Sequence, residues 1–199
     1  MKLKVCGMRE TENIRELMAL EPDFMGMIFY PKSSRYVSEV PQTDISATKI
    51  GVFVNEDITV IQRKAEQFGF DMIQLHGDEP IGQASILKSL GFRVIRVFSV
   101  TDSLPMEQMK AYENEVDFFL FDTKTPKYGG SGEKFDWSIL KGYNLKTPFF
   151  LSGGIDLEDL ETIKQLNIPQ LYAVDINSRF EKEPGVKDIE KIKAFKQQL

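Results

Sequence analysis

Phe149-Phe150-Leu151-Ser152-Gly153-Gly154-Ile155-Asp156 is the stretch that decides the fold. Three apolar residues run without a polar break, as in a strand covered on both faces. Two glycines end the run, and Asp156 then leads Leu157, Leu160 and Ile163 at helical spacing. Strand, glycine turn and capped helix in quick succession make a βα unit.

The same alternation fills the chain on either side. Apolar strand runs are predicted at 2–6, Phe24 to Phe29, Lys49 to Val54, Met72 to His76, Arg93 to Phe98, Asp117 to Asp122, Pro148 to Leu151 and Leu171 to Ile176. Helix signals lie between them. Thr11 is a cap ahead of Ile14, Leu17 and Met18; Asp57 precedes Ile58, Ile61, Ala65 and Phe68. Pro80 suits a first helical turn before Ile81, Ala84, Leu87 and Leu90, and Asp188 lies ahead of Ile189, Ile192 and Phe195. Two shorter helices are expected at Pro41 to Ala47 and Phe135 to Leu140.

Strands alternating with helices argue for parallel βα units. An open doubly wound sheet is compatible with this pattern, but a closed eight-fold barrel uses every element without leftovers. Such barrels typically have about 250 residues and as few as about 200. The 199 residues therefore predict a compact, single-domain α/β protein, a (β/α)8 TIM barrel over 1–199, with short loops and no linker or convincing repeat.

Composition narrows the function. The formal charge is −5 and no run of Lys or Arg forms a nucleic-acid footprint. No apolar stretch reaches the roughly 18 residues of a membrane span, and Met1-Lys2-Leu3-Lys4 does not open a secretory signal. One cysteine cannot form an internal disulfide, which points to a reducing compartment, most simply the cytoplasm. His76 is the one histidine, and no Cys/His cluster has zinc spacing, so neither metal nor redox cofactor is expected.

In a parallel barrel the active site lies at the C-terminal ends of the strands. That filter selects Cys6, His76, Asp122, Gly153-Gly154 and Asp175. Cys6 closes the first strand within Lys4-Val5-Cys6-Gly7-Met8-Arg9; a free cysteine is commonly just a small buried hydrophobe. Asp122 closes Phe118-Phe119-Leu120-Phe121-Asp122-Thr123, and the two make a candidate base–acid pair. The glycine pair lets backbone N–H groups approach an anion, and the helix after it adds a favourable field. Loops after strands seven and eight, here Ser152-Gly153-Gly154 and Asn177-Ser178-Arg179, are the habitual phosphate site of this fold. Arg35 could fork onto a substrate carboxylate. His76 reads as a hydrogen-bonded strand-end residue rather than a base. The glycine-rich segment Thr125 to Gly132 reads as a lid over the substrate, and lacks the lysine–serine of a Walker loop.

Taken in order, Lys-Val-Cys-Gly-Met-Arg, Gln-Leu-His-Gly, Phe-Asp-Thr with Gly-Gly-Ser-Gly and Phe135-Asp136-Trp137, Ser-Gly-Gly-Ile and Val-Asp-Ile-Asn-Ser resemble the phosphoribosylanthranilate isomerase family. The resemblance implies a (β/α)8 barrel of tryptophan biosynthesis. The reaction would be the Amadori rearrangement of N-(5-phospho-β-D-ribosyl)anthranilate to 1-(2-carboxyphenylamino)-1-deoxy-D-ribulose 5-phosphate. It further implies Cys6 as general base, Asp122 as general acid and Arg35 on the anthranilate carboxylate. Gly153, Gly154, Asn177 and Ser178 would bind substrate at its phosphate end. Two positions depart from the family pattern: Asn177-Ser178-Arg179 replaces Ser-Ser-Gly, and Ser34 stands where proline is usual.

The chemistry suits that pair. The acid protonates the ribose ring oxygen and opens the ring to a Schiff base; the base then removes the C2 proton, giving an enolamine that tautomerises to the ketone. A thiolate is expected to be populated near neutrality at a partly positive barrel mouth. No cofactor or metal is needed, and the partner is a small phosphosugar–anthranilate substrate acted on by a monomer or homodimer. The nearest rivals are an aminoimidazole ribotide-type isomerase, which resembles a two-fold repeat with aspartates at both strand ends, and a metal-dependent epimerase, which needs more histidines. A non-catalytic phosphate-binding barrel would have no use for the thiol and carboxyl together.

Overall fold

A computed structural model of the chain describes residues 1–123 and 134–199. Eight parallel strands close into a barrel in chain order: β1 (Lys2–Cys6), β2 (Phe24–Ile28), β3 (Thr48–Phe53), β4 (Met72–Leu75), β5 (Arg93–Val100), β6 (Phe118–Thr123), β7 (Phe149–Leu151) and β8 (Leu171–Ile176). β8 returns to pair with β1, Lys4 lying opposite Asp175. Each strand lies within two residues of its predicted bounds.

Among the described residues six α-helices cover the outside: α1 (Thr11–Met18), α2 (Ile58–Phe68), α3 (Ile81–Ser89), α4 (Met106–Tyr112), α5 (Leu160–Leu166) and α6 (Ile189–Lys196). Asp57 and Asp188 cap α2 and α6 through their side chains as expected. Thr11 does not cap α1: it is the first helical residue, with Glu10 at the cap position. The helix expected at Pro41 to Ala47 is absent, and that segment runs as bends. Too few apolar residues recur there at helical spacing to give a helix a face to bury. The segment from Phe135 becomes a 3-10 helix, Trp137–Gly142, capped by Asp136. α4 went unread because its buried face amounts to Met109 and Tyr112.

Period-two alternation divides the apolar residues into two layers. Leu3 and Val5 of β1, and Met25 and Met27 of β2, face outward into the core shared with the helices. Cys6, Phe24, Ile50, Met72, Leu120 and Phe150 belong to the barrel interior. Low in that interior, Phe150 packs edge-to-face on Phe24 and Phe118, with ring centroids 5.3 and 5.4 Å away. Lys2 Nζ lies 5.2 Å from the Tyr172 ring centre. The lower barrel is thus an aromatic plug, and above it Lys4, Gln74 and Asp175 share the interior with apolar side chains such as Val52 and Val97.

A short antiparallel hairpin follows β8: β9 (Glu181–Glu183) and β10 (Val186–Lys187). Nothing in the sequence signalled it. It turns Glu181 and Lys187 back towards the barrel, where both side chains are almost fully buried.

Candidate active site

A cavity opens at the C-terminal ends of the strands. Cys6, Arg35, His76, Asp122, Gly153, Gly154, Asp175, Asn177 and Ser178 all line it. Every site residue singled out in the sequence therefore reaches one space. The glycine-rich segment 125–132, read as a lid, lies outside the described residues.

Cys6 sits on β1 opposite Gly26 of β2. A Cβ added at Gly26 would stand 2.7 Å from the Cys6 sulfur, so the absent side chain provides the room for the thiol. Burial pushes the Cys6 pKa above its ordinary value; Lys4 and Lys187 pull it down and Asp175 pushes it up again. The thiolate expected near neutrality is thus not the resting state. The cations are present, but desolvation in the barrel outweighs them.

Asp122 ends β6. Its Oδ1 accepts the Thr123 backbone N–H at 2.9 Å, and its Oδ2 lies 3.5 Å from His76 Nε2. His76 Nδ1 is in turn 2.9 Å from Gln74 Nε2, in keeping with its reading as a hydrogen-bonded strand-end residue. Below them Lys4 Nζ donates to Asp175 Oδ2 at 2.8 Å. Burial disfavours the Lys4 ammonium, yet the Asp175 carboxylate overrides this and holds its pKa above the ordinary lysine value. Asp175 Oδ1 is buried without a hydrogen-bond partner among the described residues.

Arg35 reaches the cavity rim, but its guanidinium is already engaged. Nε and Nη2 donate to the two oxygens of Glu181, at 2.9 and 2.6 Å, leaving the Nη1 edge for a ligand. Lys187 Nζ donates to Glu181 Oε1 and to Asn177 Oδ1, each at 2.7 Å, so the hairpin ties Arg35 to the loop after β8. Burial opposes ionisation of Glu181, but Arg35 and Lys187 prevail and hold its pKa below the ordinary glutamate value. Gly7, at φ +81°, completes the junction: a Cβ there would lie 2.8 Å from both Arg35 Cδ and Asn177 Oδ1.

In the loop after the neighbouring strand β7, Gly153 and Gly154 both take positive φ, +93° and +65°. Glycine takes such φ values without strain, and with no side chain it lets a ligand approach the backbone N–H groups closely. A Cβ at Gly153 would collide with Thr123 Oγ1 and stand 3.2 Å from Asp122 Oδ1, so the turn packs directly on the end of β6. The helix field expected behind this turn is weaker than the sequence suggested. A 3-10 turn, Leu157–Asp159, leads into α5, and its leading N–H groups are met by carboxylates: Asp156 accepts from Leu157, and Asp159 accepts from Asp156. Arg179, one of the two positions expected to depart from the resembled pattern, causes no backbone strain. Among the described non-glycine residues only Glu21, Asn55 and Asn167 have positive φ.

Sequence reading missed Lys4, Gln74, Gly26, Glu181 and Lys187. For the first two a signal existed: Lys4 lies two residues before Cys6, and Gln74 two before His76, so each shares its neighbour's interior face. Glu181 and Lys187 follow the last barrel strand and carry no periodic pattern that could reveal their direction.

A thiol and a carboxyl bordering one cavity with an anion-shaped turn suit proton-transfer chemistry on a phosphorylated sugar. The fold and site define a phosphosugar isomerase of the (β/α)8 class. A family model, N-(5'phosphoribosyl)anthranilate (PRA) isomerase, matches residues 3–198. The N-(5'-phosphoribosyl)anthranilate isomerase of Parabacteroides distasonis is 46% identical over 206 residues, covering 100% of this chain and 93% of that protein. The crystal structure of phosphoribosyl anthranilate isomerase from Thermotoga maritima aligns with a TM-score of 0.82 at 34% identity, covering 100% of this chain and 98% of that one. A phosphoribosyl anthranilate isomerase crystallised with reduced 1-(o-carboxyphenylamino)-1-deoxyribulose 5-phosphate aligns with a TM-score of 0.78 at 29% identity, covering 100% and 97%. The chain belongs to the N-(5'-phosphoribosyl)anthranilate isomerase family. Its activity is the isomerisation of phosphoribosylanthranilate, a step of tryptophan biosynthesis.

Proposed function

We propose that Asp122 is the general acid and Cys6 the general base of this isomerisation. Asp122 donates a proton to the ribose ring oxygen; the C1–O bond breaks and the anthranilate nitrogen supplies electrons, leaving a protonated Schiff base. Cys6, as thiolate, takes the C2 proton; the freed electron pair closes the C1–C2 double bond of the enolamine. Loss of the enol proton and protonation at C1 then give the ketone. The observation that carries the reading is that these two groups, on β1 and β6, border the same cavity as the Gly153-Gly154 turn.

The remaining roles follow from the chemistry of the lining. Gly153 and Gly154, with Ser178, take the phosphate, and Asn177 holds the loop that presents Ser178. Arg35 offers Nη1 to the anthranilate carboxylate while Glu181 fixes its plane. The unpartnered Asp175 Oδ1 is an acceptor for a sugar hydroxyl. The related enzyme crystallised with a reduced product analogue carries a ligand with these same three ends: carboxylate, sugar and phosphate.

In this reading the whole chain, 1–199, works as one domain in the cytoplasm, as a monomer or homodimer, without metal, cofactor, nucleic acid or membrane. The lone cysteine supports the reducing compartment, and among the described residues no helix is long and apolar enough to cross a membrane. The test of the chemistry is incubation with phosphoribosylanthranilate, following loss of anthranilate-type fluorescence. Wild-type protein converts the substrate; Asp122→Asn or Cys6→Ser protein with unimpaired turnover overturns the assignment of that residue.

A further inference from the structure

Five interior side chains form one polar file along the cavity wall, with Lys4 at its buried end. Lys4 Nζ donates to Asp175 Oδ2 at 2.8 Å and to Gln74 Oε1 at 2.5 Å. Gln74 Nε2 lies 2.9 Å from His76 Nδ1, and His76 Nε2 lies 3.5 Å from Asp122 Oδ2. Lys4 and Gln74 are fully buried, and neither has a part in the chemistry above.

The direction of the file follows from what each group can give. A lysine ammonium has donors and no acceptor, so the Gln74 oxygen must face Lys4 and its NH2 must face His76. His76 Nδ1 then accepts and carries no proton. A neutral imidazole so held keeps its one proton on Nε2, the nitrogen nearest Asp122. The backbone beyond the ring is clamped as well. Glu79 accepts the Gly77 N–H at 2.9 Å, and Arg96 bonds both Glu79 Oε2, at 2.6 Å, and the Gly77 carbonyl, at 2.8 Å.

We infer that Lys4 and Gln74 are positioning residues that lock His76 in its Nε2–H tautomer, so that it donates to Asp122 Oδ2 as that carboxyl gives up its proton. This rests on Asp122 being the general acid. Thr123 already fills Oδ1, which leaves Oδ2 to carry the transferable proton. At 3.5 Å the His76–Asp122 contact is too long for a good hydrogen bond in the resting site. Once Oδ2 is charged, the N–H closes on it as a charge-assisted bond. The opposite tautomer would set a lone pair against the new carboxylate and oppose ring opening.

His76 is the one histidine in the chain, so selective ¹⁵N-histidine labelling yields a single imidazole that needs no assignment. Long-range ¹H–¹⁵N correlation spectra of the full-length wild type are recorded above the ordinary imidazole titration range. The expected pattern is a bare Nδ1 and a protonated Nε2; the Nδ1–H tautomer, or the averaged pattern of free imidazole, overturns the proposal. In Gln74→Glu protein the carboxylate accepts from both Lys4 and His76 and draws a proton onto Nδ1. There kcat falls about ten- to a hundredfold, the worth of one charge-assisted hydrogen bond, while KM changes little. A protonated Nδ1 with unaltered kcat sinks the functional half, and an unaltered tautomer sinks the lock. Should Gln74→Glu fail to fold, Gln74→Met cuts the file at the same point and is expected to give a tautomer mixture. Unimpaired turnover in Asp122→Asn would instead remove the acid assignment and leave the wild-type spectrum as it is, so the two readings fail separately.

Discussion

The Cys6 sulfur occupies the space that a side chain on Gly26 would fill, 2.7 Å from where a Cβ would stand. The same Cβ would lie 3.3 Å from the Cys6 backbone Cα, so neither the thiol nor the strand can be ignored. Gly26→Ala is expected to push the thiol off its rotamer and cut turnover well below the wild-type level. Overpacking of this kind costs about 1–3 kcal/mol, so the variant folds with a lowered melting temperature. Unchanged kcat in Gly26→Ala protein would mean that the sulfur position is not critical to the reaction.

Cys6→Ser should keep the fold and substrate binding while turnover falls by about 10²–10⁴, the range for general base catalysis. A serine hydroxyl is a far weaker base than a thiolate, and it is small enough to leave the Gly26 contact relaxed. Single-turnover rates with purified variant and wild type measure the loss directly.

The direction of the Cys6 shift gives the pH dependence. Burial, the largest influence, raises the thiol above its ordinary value, and Lys4 and Lys187 only partly offset it. The base must shed its proton before it can act, so kcat/KM should climb as pH rises through the ordinary thiol range and level off above it. A Cys6→Ser profile lacks this limb. A wild-type plateau already reached below the ordinary thiol range would show that something absent from the free site depresses the thiol.

How much of this was legible in the sequence depends on how each residue is covered. The eight strands read clearly because both faces are buried, so runs such as Phe118 to Phe121 are apolar without interruption. Cys6 and Asp122 stood out as polar or reactive groups closing such runs, and topology alone brings strand ends to one mouth. Arg35 was legible as a cation in the second loop, but its partner was not. Glu181 is distant in sequence and sits on a hairpin with no hydrophobic period. α4 and the bends at 41–47 show the same limit from the other side, since weakly buried segments take their form from neighbours rather than from a pattern of their own.

Asp122→Asn removes the proton donor but can keep the Thr123 contact, because the amide oxygen still accepts at the Oδ1 position. Turnover should therefore collapse while the melting temperature moves little. A severe loss of thermal stability in this variant would recast Asp122 as a structural group.

Arg35 and Glu181 form a two-pronged ion pair, with the Nη2 contact at 2.6 Å and both side chains largely buried. If the remaining Nη1 edge grips the anthranilate carboxylate, Arg35→Met weakens product binding by the worth of a charge-assisted bond, about 1.5–3 kcal/mol. A product analogue lacking the carboxylate should bind wild type and variant alike, since the sugar and phosphate contacts are common to both ligands. Arg35→Met also leaves Glu181 with Lys187 as its remaining charged partner, so some stability is lost as well. Glu181→Gln separates the two effects. It keeps the guanidinium but loosens its plane, and should weaken the carboxylated product by less than Arg35→Met does, with the analogue again unaffected. Isothermal titration of both ligands against the three proteins decides the matter: an equal loss of affinity for the two ligands in Arg35→Met would move the aromatic end of the substrate away from Arg35.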